Sequence, residues 1–179
     1  MVIMRTLFPS IPTIQGASLC LRQLQTGDAA GLRKLIDSPR VYRYEPSFLF
    51  ERQYKDAGEA ILRMYDGTLD ESIIWGIFRD QDFCGLAEAY GYRAPIHKIS
   101  VGYRLLEEMW GQGIATEALR MMTGELLGNR PIEIITASTM IENHASARVL
   151  QKNGFTLVNH AVEEDWGFPT PTLADKWIL

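Results

Sequence analysis

The sequence predicts an α/β (α+β) fold, one mixed sheet of about seven strands flanked by about four helices, in a single domain over residues 1–179. Three observations carry this. The runs Ile73 to Arg79 and Phe83 to Tyr90 are strand-like and are joined by Asp80-Gln81-Asp82, a short polar link of the hairpin kind. Gly113 to Leu127 has a helical period, with Ala115, Ala118, Leu119, Met122 and Leu126 on one face. Ile132 to Ser138 is apolar and β-branched, which suits a strand covered on both faces.

The remaining elements follow in chain order. Residues 1–17 read as an irregular lead-in. Leu19, Leu21 and Leu24, set against Arg22 and Gln23, predict a first strand. Asp28 is placed to cap the next helix, because its carboxylate can accept backbone N–H groups of the first turn. Leu32, Leu35 and Ile36 form that helix's apolar stripe, and Pro39 ends it. A second helix, Glu51 to Tyr65, carries Ala57, Ile61, Leu62 and Tyr65 on one side and stops near Gly67. After the hairpin, Ile99 to Leu105 is the fourth strand. The helix over 113–127 ends at Gly128-Asn129, and Pro131 keeps it from resuming before the fifth strand, Ile132 to Ser138. A short helix, Ala145 to Lys152, stops at Asn153-Gly154, and strands near Phe155 to Val162 and Leu173 to Leu179 close the chain. The order β-α-α-β-β-β-α-β-α-β-β places helices on both faces of the sheet.

Composition narrows the function classes. Hydrophobic residues make up 46% and charged residues 22% of the 179, as in ordinary globular chains. The formal charge of −4 supplies no basic footprint for a phosphate backbone, so no direct nucleic-acid partner is expected. No window approaches the roughly 18 apolar residues of a membrane span, and the N-terminus lacks the apolar core of a signal peptide. The chain therefore reads as cytoplasmic, with no membrane partner. Cys20 and Cys84 lie in apolar alternating runs and read as reduced thiols. His144 and His160 have no companion spacing for a metal, so no metal site is expected.

The richest local signal is Trp110-Gly111-Gln112-Gly113-Ile114-Ala115-Thr116, between a strand and the strongest helix. Gly111 and Gly113 can take positive φ and let backbone approach a ligand with no Cβ in the way. Successive N–H groups then point outward with the positive end of the helix dipole behind them, which makes an anion site suited to a pyrophosphate. The P-loop Gly-Lys-Ser/Thr is absent, and so is the third glycine of a dinucleotide fingerprint. Taken alone, a glycine pair before a helix also serves plain capping.

A second segment follows, Asn143-His144-Ala145-Ser146-Ala147-Arg148-Val149-Leu150-Gln151-Lys152-Asn153-Gly154-Phe155. By itself it is a loop asparagine able to cap, a helix with Val149 and Leu150 inward, and a glycine stop. Together the two segments resemble the GNAT acetyltransferases, and W-G-x-G-x-A-T-E-A followed by N-x-x-S-x-x-V-L-x-K-x-G-F resembles their ribosomal-protein N-terminal acetyltransferase branch. Leu19-Cys20-Leu21-Arg22 to Asp28-Ala29 and Gly102-Tyr103 are similar to further parts of that branch, so the resemblance covers about residues 18–179.

The resemblance implies a GNAT fold, its mostly antiparallel sheet splayed at the fourth and fifth strands, and acetyl-CoA as co-substrate. It implies that Tyr103 to Leu105 offer backbone groups to pantetheine, with an N–H near Val101 or Tyr103 as oxyanion donor. It further implies that Trp110, Gly111, Gln112, Gly113, Ile114, Ala115 and Thr116 form the pyrophosphate loop, and that Asn143 bonds the pantetheine arm. The reaction implied is direct attack of a primary amine, a protein N-terminal α-amine or small amine, on the thioester. An α-amine, with a pKa near 8, needs a weaker base than a lysine near 10.4.

Two positions depart from the wider superfamily. Ser100 stands where many relatives carry a glutamate, and Leu150 where many carry a thiolate-protonating tyrosine. The branch resemblance implies Ser146 as the substitute for the second. Glu88 and His97 are the candidates for the base. The acidic stretch Glu163-Glu164-Asp165-Trp166-Gly167 reads as a loop able to border the acceptor. Two alternatives stay open: an antibiotic, polyamine or amino-acid acetyltransferase, and a non-catalytic acetyl-CoA-binding module. The assembly is expected to be a monomer or homodimer.

Overall fold

The computed structural model describes residues 7–67 and 71–179. Its strands are β1 (Ile14–Gln15), β2 (Leu19–Arg22), β3 (Ile73–Arg79), β4 (Asp82–Arg93), β5 (Lys98–Leu105), β6 (Ile134–Met140), β7 (Thr156–Glu164) and β8 (Thr172–Ile178). Its helices are α1 (Ala29–Ile36), α2 (Ala57–Met64), α3 (Ile114–Asn129) and α4 (His144–Lys152). The eight strands form one sheet in the order β1-β2-β3-β4-β5-β6-β8-β7, antiparallel except for β5 with β6. This is the GNAT architecture expected, with one strand more. The lead-in is not wholly irregular, because Ile14 and Gln15 pair with Leu21 and Cys20. Ahead of them, Leu7 and Phe8 are buried, and Phe8 meets Trp75 edge-on at 6.1 Å. Residues 1–6 of the expected lead-in lie outside the described residues.

Strand pairing puts alternate side chains on opposite faces. Trp75, Ile77, Ala87, Ala89, Ile99 and Val101 face α3 and α4 in the larger core, which Ala118, Leu119, Met122, Leu126 and Leu150 complete. Leu86 and Leu106 face a second core made by Leu32, Leu35, Val41, Ala60 and Ile61. Covering on both faces explains why β3 and the middle of β4 are apolar almost throughout. Two stripe expectations shift. Ile114 rather than Ala115 is buried on α3, and Leu62 on α2 stands 63% exposed. The second helix is also shorter than its period, because Phe50–Gln53 forms a separate 3-10 turn and Asp56 caps α2 by accepting the Glu59 N–H. Asp28 does not cap α1 through its side chain. Its carboxylate instead accepts the Gln25 N–H at 2.8 Å and pairs with both Arg22 nitrogens at 2.9 and 3.1 Å.

The sheet forks where its strand direction changes. β5 and β6 pair over three rungs only, Lys98 to Ser100 with Ile134 to Thr136. Beyond them β5 keeps its ladder with β4 and β6 with β8, so the two separate. Ser100 Oγ and Thr136 Oγ1 lie 2.9 Å apart at the last rung and close the fork there.

One buried ion pair fastens the α1–α2 connection to the sheet. Arg104 on β5 donates from Nε to Glu51 Oε1 at 2.5 Å and from Nη2 to Oε2 at 2.8 Å. Tyr42 donates to the same carboxylate at 2.8 Å, and Arg104 Nη1 reaches Glu88 at 3.2 Å. Glu51 and Arg104 are 0% and 3% exposed, so each needs the other's charge. Burial pushes the Glu51 carboxyl up, but Arg104 outweighs it and holds the group below its ordinary 4.5. This contribution to stability is therefore full above 4.5 and is lost as pH falls below it. Glu51→Ala, which leaves a buried guanidinium short of charge, is expected to cost about 3–5 kcal/mol in urea unfolding at pH 7. The deficit relative to wild type should shrink as the titration is repeated at lower pH.

Candidate active site

The fork creates the site. Leu106 N donates to Cys84 O on the β4 side, while the His97 carbonyl accepts from Ile134 N on the β6 side. Peptide groups alternate along a strand, so Val101 and Tyr103 direct N–H and C=O toward the gap that β6 has left. Leu105 is on the same side, but its carbonyl already accepts the Trp110 indole N–H at 3.0 Å.

Two clefts meet in this gap. The larger, about 440 Å³, runs over Tyr103 to Leu105, the turn before α3 and the outer face of α4. Trp110, Gly111, Gly113, Ile114, Ala115 and Thr116 all line it. Gly111 and Gly113 have φ of 71° and 79°, and a Cβ at either would meet open space, so this backbone is bare to a ligand. No side chain caps α3, whose first N–H groups face the cleft with the dipole behind them. Gln112 is the exception among the expected loop residues. Its amide turns back to accept from Arg79 at 2.8 Å and donate to Glu108 O at 2.6 Å, and it does not line the cleft. The loop is braced below, where Asn153 Nδ2 donates to Thr116 O at 3.2 Å and locks the end of α4 to the start of α3.

The second cleft, about 280 Å³, lies under the α1–α2 connection and the end of β7. Val101, Gly102 and Tyr103 form one wall, and Ala137, Ser138 and Thr139 the other. Tyr44, Phe48, Phe50, Tyr90 and Trp166 add aromatic faces. Its rim is tied across the molecule, since Ser47 N donates to Trp166 O at 2.9 Å. Gly167, at φ 80°, has no Cβ to collide with Ser47 Oγ, which would lie 2.1 Å away. Trp166 borders this cleft, while Glu163 and Glu164 belong to β7 rather than to a loop.

The charges of the two clefts are opposite. Arg40, Arg43, Arg104, Arg148 and Lys152 line the first, with Glu45 the single acidic residue there among the described residues. Glu45, Glu88, Glu164 and Asp165 line the second, with no lysine, arginine or histidine among its lining residues. Tyr44, Glu45, Tyr103, Asn143 and Ser146 line both and mark the junction. There the Tyr103 and Ser146 hydroxyls are 2.8 Å apart, and burial raises the Tyr103 phenol above its usual 10. Asn143 caps α4 by accepting the Ser146 N–H at 3.2 Å, which leaves its amide N–H₂ available to the cleft.

The two residues expected as bases sit differently. Glu88 lines the second cleft, but Arg104 holds its carboxylate. His97 lines neither cleft and pairs with Glu133 at 3.0 Å. It lies at the closed end of the fork, six residues or about 20 Å along β5 from Tyr103, too far to reach the same substrate. Missed altogether was the run Arg40-Val41-Tyr42-Arg43-Tyr44-Glu45-Pro46. Its signal was a cluster of aromatic and charged residues ended by a proline, in a connection that shows no helical period.

Comparison with known proteins agrees with this geometry. The chain matches the family model "Acetyltransferase (GNAT) domain" over residues 18–156. It is 26% identical over 149 residues to the uncharacterized N-acetyltransferase YoaA of Bacillus subtilis, covering 80% of this chain and 82% of that protein. A GNAT-family acetyltransferase structure from Bacillus anthracis superposes with a TM-score of 0.80 at 15% identity, covering 94% of this chain and 98% of the other. The ribosomal L7/L12 α-N-protein acetyltransferase RimL, solved with coenzyme A, gives a TM-score of 0.78 at 18% identity over 94% and 97% of the two chains. With a family match spanning most of its length and the forked sheet to go with it, the chain belongs to the GNAT acetyltransferase family.

Proposed function

We propose that this chain is an acetyl-CoA-dependent N-acetyltransferase of the cytoplasm, with the cofactor in the basic cleft and a cationic primary amine in the acidic one. The observation that carries the reading is the meeting of two oppositely charged clefts at Tyr103, Asn143 and Ser146. A pyrophosphate suits the bare α3 turn, and Arg43, Arg148 and Lys152 suit the remaining phosphate charge. The pantetheine arm then lies along the exposed edge of β5, where Asn143 and the backbone of Tyr103 can hold it. An N–H of Val101 or Tyr103, aimed at the developing oxyanion, can supply about 3 kcal/mol.

The amine's nitrogen attacks the thioester carbon, and the carbon–sulfur bond breaks with its electron pair on sulfur. Ser146 donates its hydroxyl proton to that thiolate and regains one from Tyr103, its neighbour at 2.8 Å. A protein N-terminus is the favoured acceptor, because an α-amine near pKa 8 is already about a tenth neutral at pH 7. RimL, a structural likeness, is described as an α-N-protein acetyltransferase.

Release of free CoA with a panel of N-terminal peptides and a panel of small amines tests the reading. Turnover is expected on peptides above all, and tight CoA binding without turnover on any amine would overturn it. Ser146→Ala should lower kcat about 100-fold with CoA affinity retained, measured by steady-state kinetics and calorimetry. Arg148→Glu reverses a charge that has no ion-pair partner among the described residues, so it should weaken CoA binding at least tenfold at low salt. That loss should fade as salt is added. Gly113→Val should abolish CoA binding, since a β-branched residue at φ 79° strains the turn. Circular dichroism is expected to show the fold retained.

A further inference from the structure

The junction of the clefts points to Glu45 as the catalytic base, and we propose that its carboxylate takes the proton from the bound acceptor ammonium before the amine attacks the thioester. This rests on the proposed function. Three observations single out Glu45. Among the described residues it is the one acidic residue that lines both clefts, which puts it at the junction where an acceptor amine would meet the thioester. The other carboxylates of the acidic cleft are engaged: Glu88 with Arg104, Glu164 with Lys176 at 2.5 Å, and Asp165 with the Gly167 N–H at 2.8 Å. The Glu45 carboxylate has no hydrogen-bond or ion-pair partner among the described residues, so its lone pairs are free for a substrate proton.

Its backbone is also held firmly. Pro46 restricts Glu45 to extended geometry, observed at φ −115° and ψ 152°. Glu45 N donates to Tyr42 O, and Tyr42 is itself anchored on the buried Glu51. A base positioned this way needs little reorganisation when substrate arrives.

The electrostatics suit the task. Although part of the residue's surface is open to the clefts, desolvation dominates and pushes the Glu45 carboxyl up to about 8. Arg104 opposes the rise, while Glu88 and Glu51 add to it. The phenols of Tyr42, Tyr90 and Tyr103, themselves raised chiefly by burial, are the other titratable groups that feel its charge. A carboxyl near 8 matches an α-amine near 8, so proton transfer between the two is close to balanced.

The step balances without another reactant. One ammonium N–H bond breaks and its proton moves to a Glu45 oxygen, freeing the lone pair that forms the new carbon–nitrogen bond. Nitrogen loses its second proton as the tetrahedral adduct collapses, the departing sulfur gains one, and Glu45 returns its proton to solvent.

The test compares wild type, Glu45→Gln and Glu45→Ala on acetyl-CoA with ring-substituted benzylamines and N-terminal peptides of graded amine pKa. In wild type, kcat/KM should rise with pH through about 8 in a limb that does not move when the amine's pKa changes. Glu45→Gln should bind CoA within threefold of wild type, lose that limb, and fall at least 100-fold in kcat, least for the weakest amine. Formate should restore part of the activity of Glu45→Ala. A raised carboxyl also makes wild type less stable as pH climbs from 4.5 to 8, because the folded state then binds more protons than the unfolded. Glu45→Gln should therefore melt increasingly higher than wild type across that interval. A Glu45→Gln enzyme within threefold of wild type, or a retained limb, overturns the assignment alone. Absence of CoA binding or of any turnover by wild type overturns the proposed function, and this base with it.

Discussion

The pair between Arg104 and Glu51 is the constraint on which the site depends. A guanidinium sealed in the sheet cannot stay there uncompensated, and among the described residues Glu51 alone meets it with two hydrogen bonds. Meeting it pulls the irregular chain between α1 and α2 down across β4 and β5. Tyr42 is drawn in with Glu51, and the turn that follows carries Tyr44 and Glu45 to the mouth of the fork. Ser47 then ties this segment to Trp166, so both lips of the acidic cleft are set by contacts far from the chemistry. The same charges tune the site, since Arg104, Glu51 and Glu88 all act on Glu45.

The fork is the second element of the arrangement. Two neighbouring strands that run parallel cannot be joined by a tight turn, so the chain must travel away through α3 and return. That crossover delivers the bare N-terminus of α3 beside the end of β5. Once β6 commits its far edge to β8, backbone polar groups of β5 are left facing a gap rather than a neighbour. Unpaired N–H and C=O groups are costly when dry and useful when a ligand completes them. The molecule thus keeps an incomplete ladder at one place, beside a helix end that is also incomplete.

Charge then sorts the two halves. Arginines and a lysine border the half next to the α3 turn, and carboxylates border the half beneath the α1–α2 connection. A polyanionic cofactor and a cationic amine are each attracted to one side and repelled from the other, which orients both before any specific contact forms. The small net charge of −4 conceals this separation entirely.

Local chemistry alone is enough to read the element order from β2 onward, the hairpin at Asp80-Gln81, the strong helix and the two glycines of its turn. Each of these is decided by periodicity or by a backbone angle within a few residues. The family resemblance, rather than local chemistry, supplies Tyr103, Asn143 and Ser146, which the tertiary structure brings together at the junction. Reading from sequence fails where a competing partner captures the side chain: Arg22 and the Gln25 N–H take the Asp28 carboxylate that a helix start would otherwise use, and Arg79, 33 residues away, turns the Gln112 amide from the cleft. His97 has a titratable imidazole, but its place just before β5 puts it at the closed end of the fork, beside Glu133. Glu45 and Glu51 are both glutamates in one irregular stretch, alike in sequence. Only the fold makes one the buried counter-charge of Arg104, 53 residues away, and leaves the other between two clefts with no partner among the described residues. The role of an ionisable side chain is set by which charges and how much water surround it, and those are properties of the packed molecule.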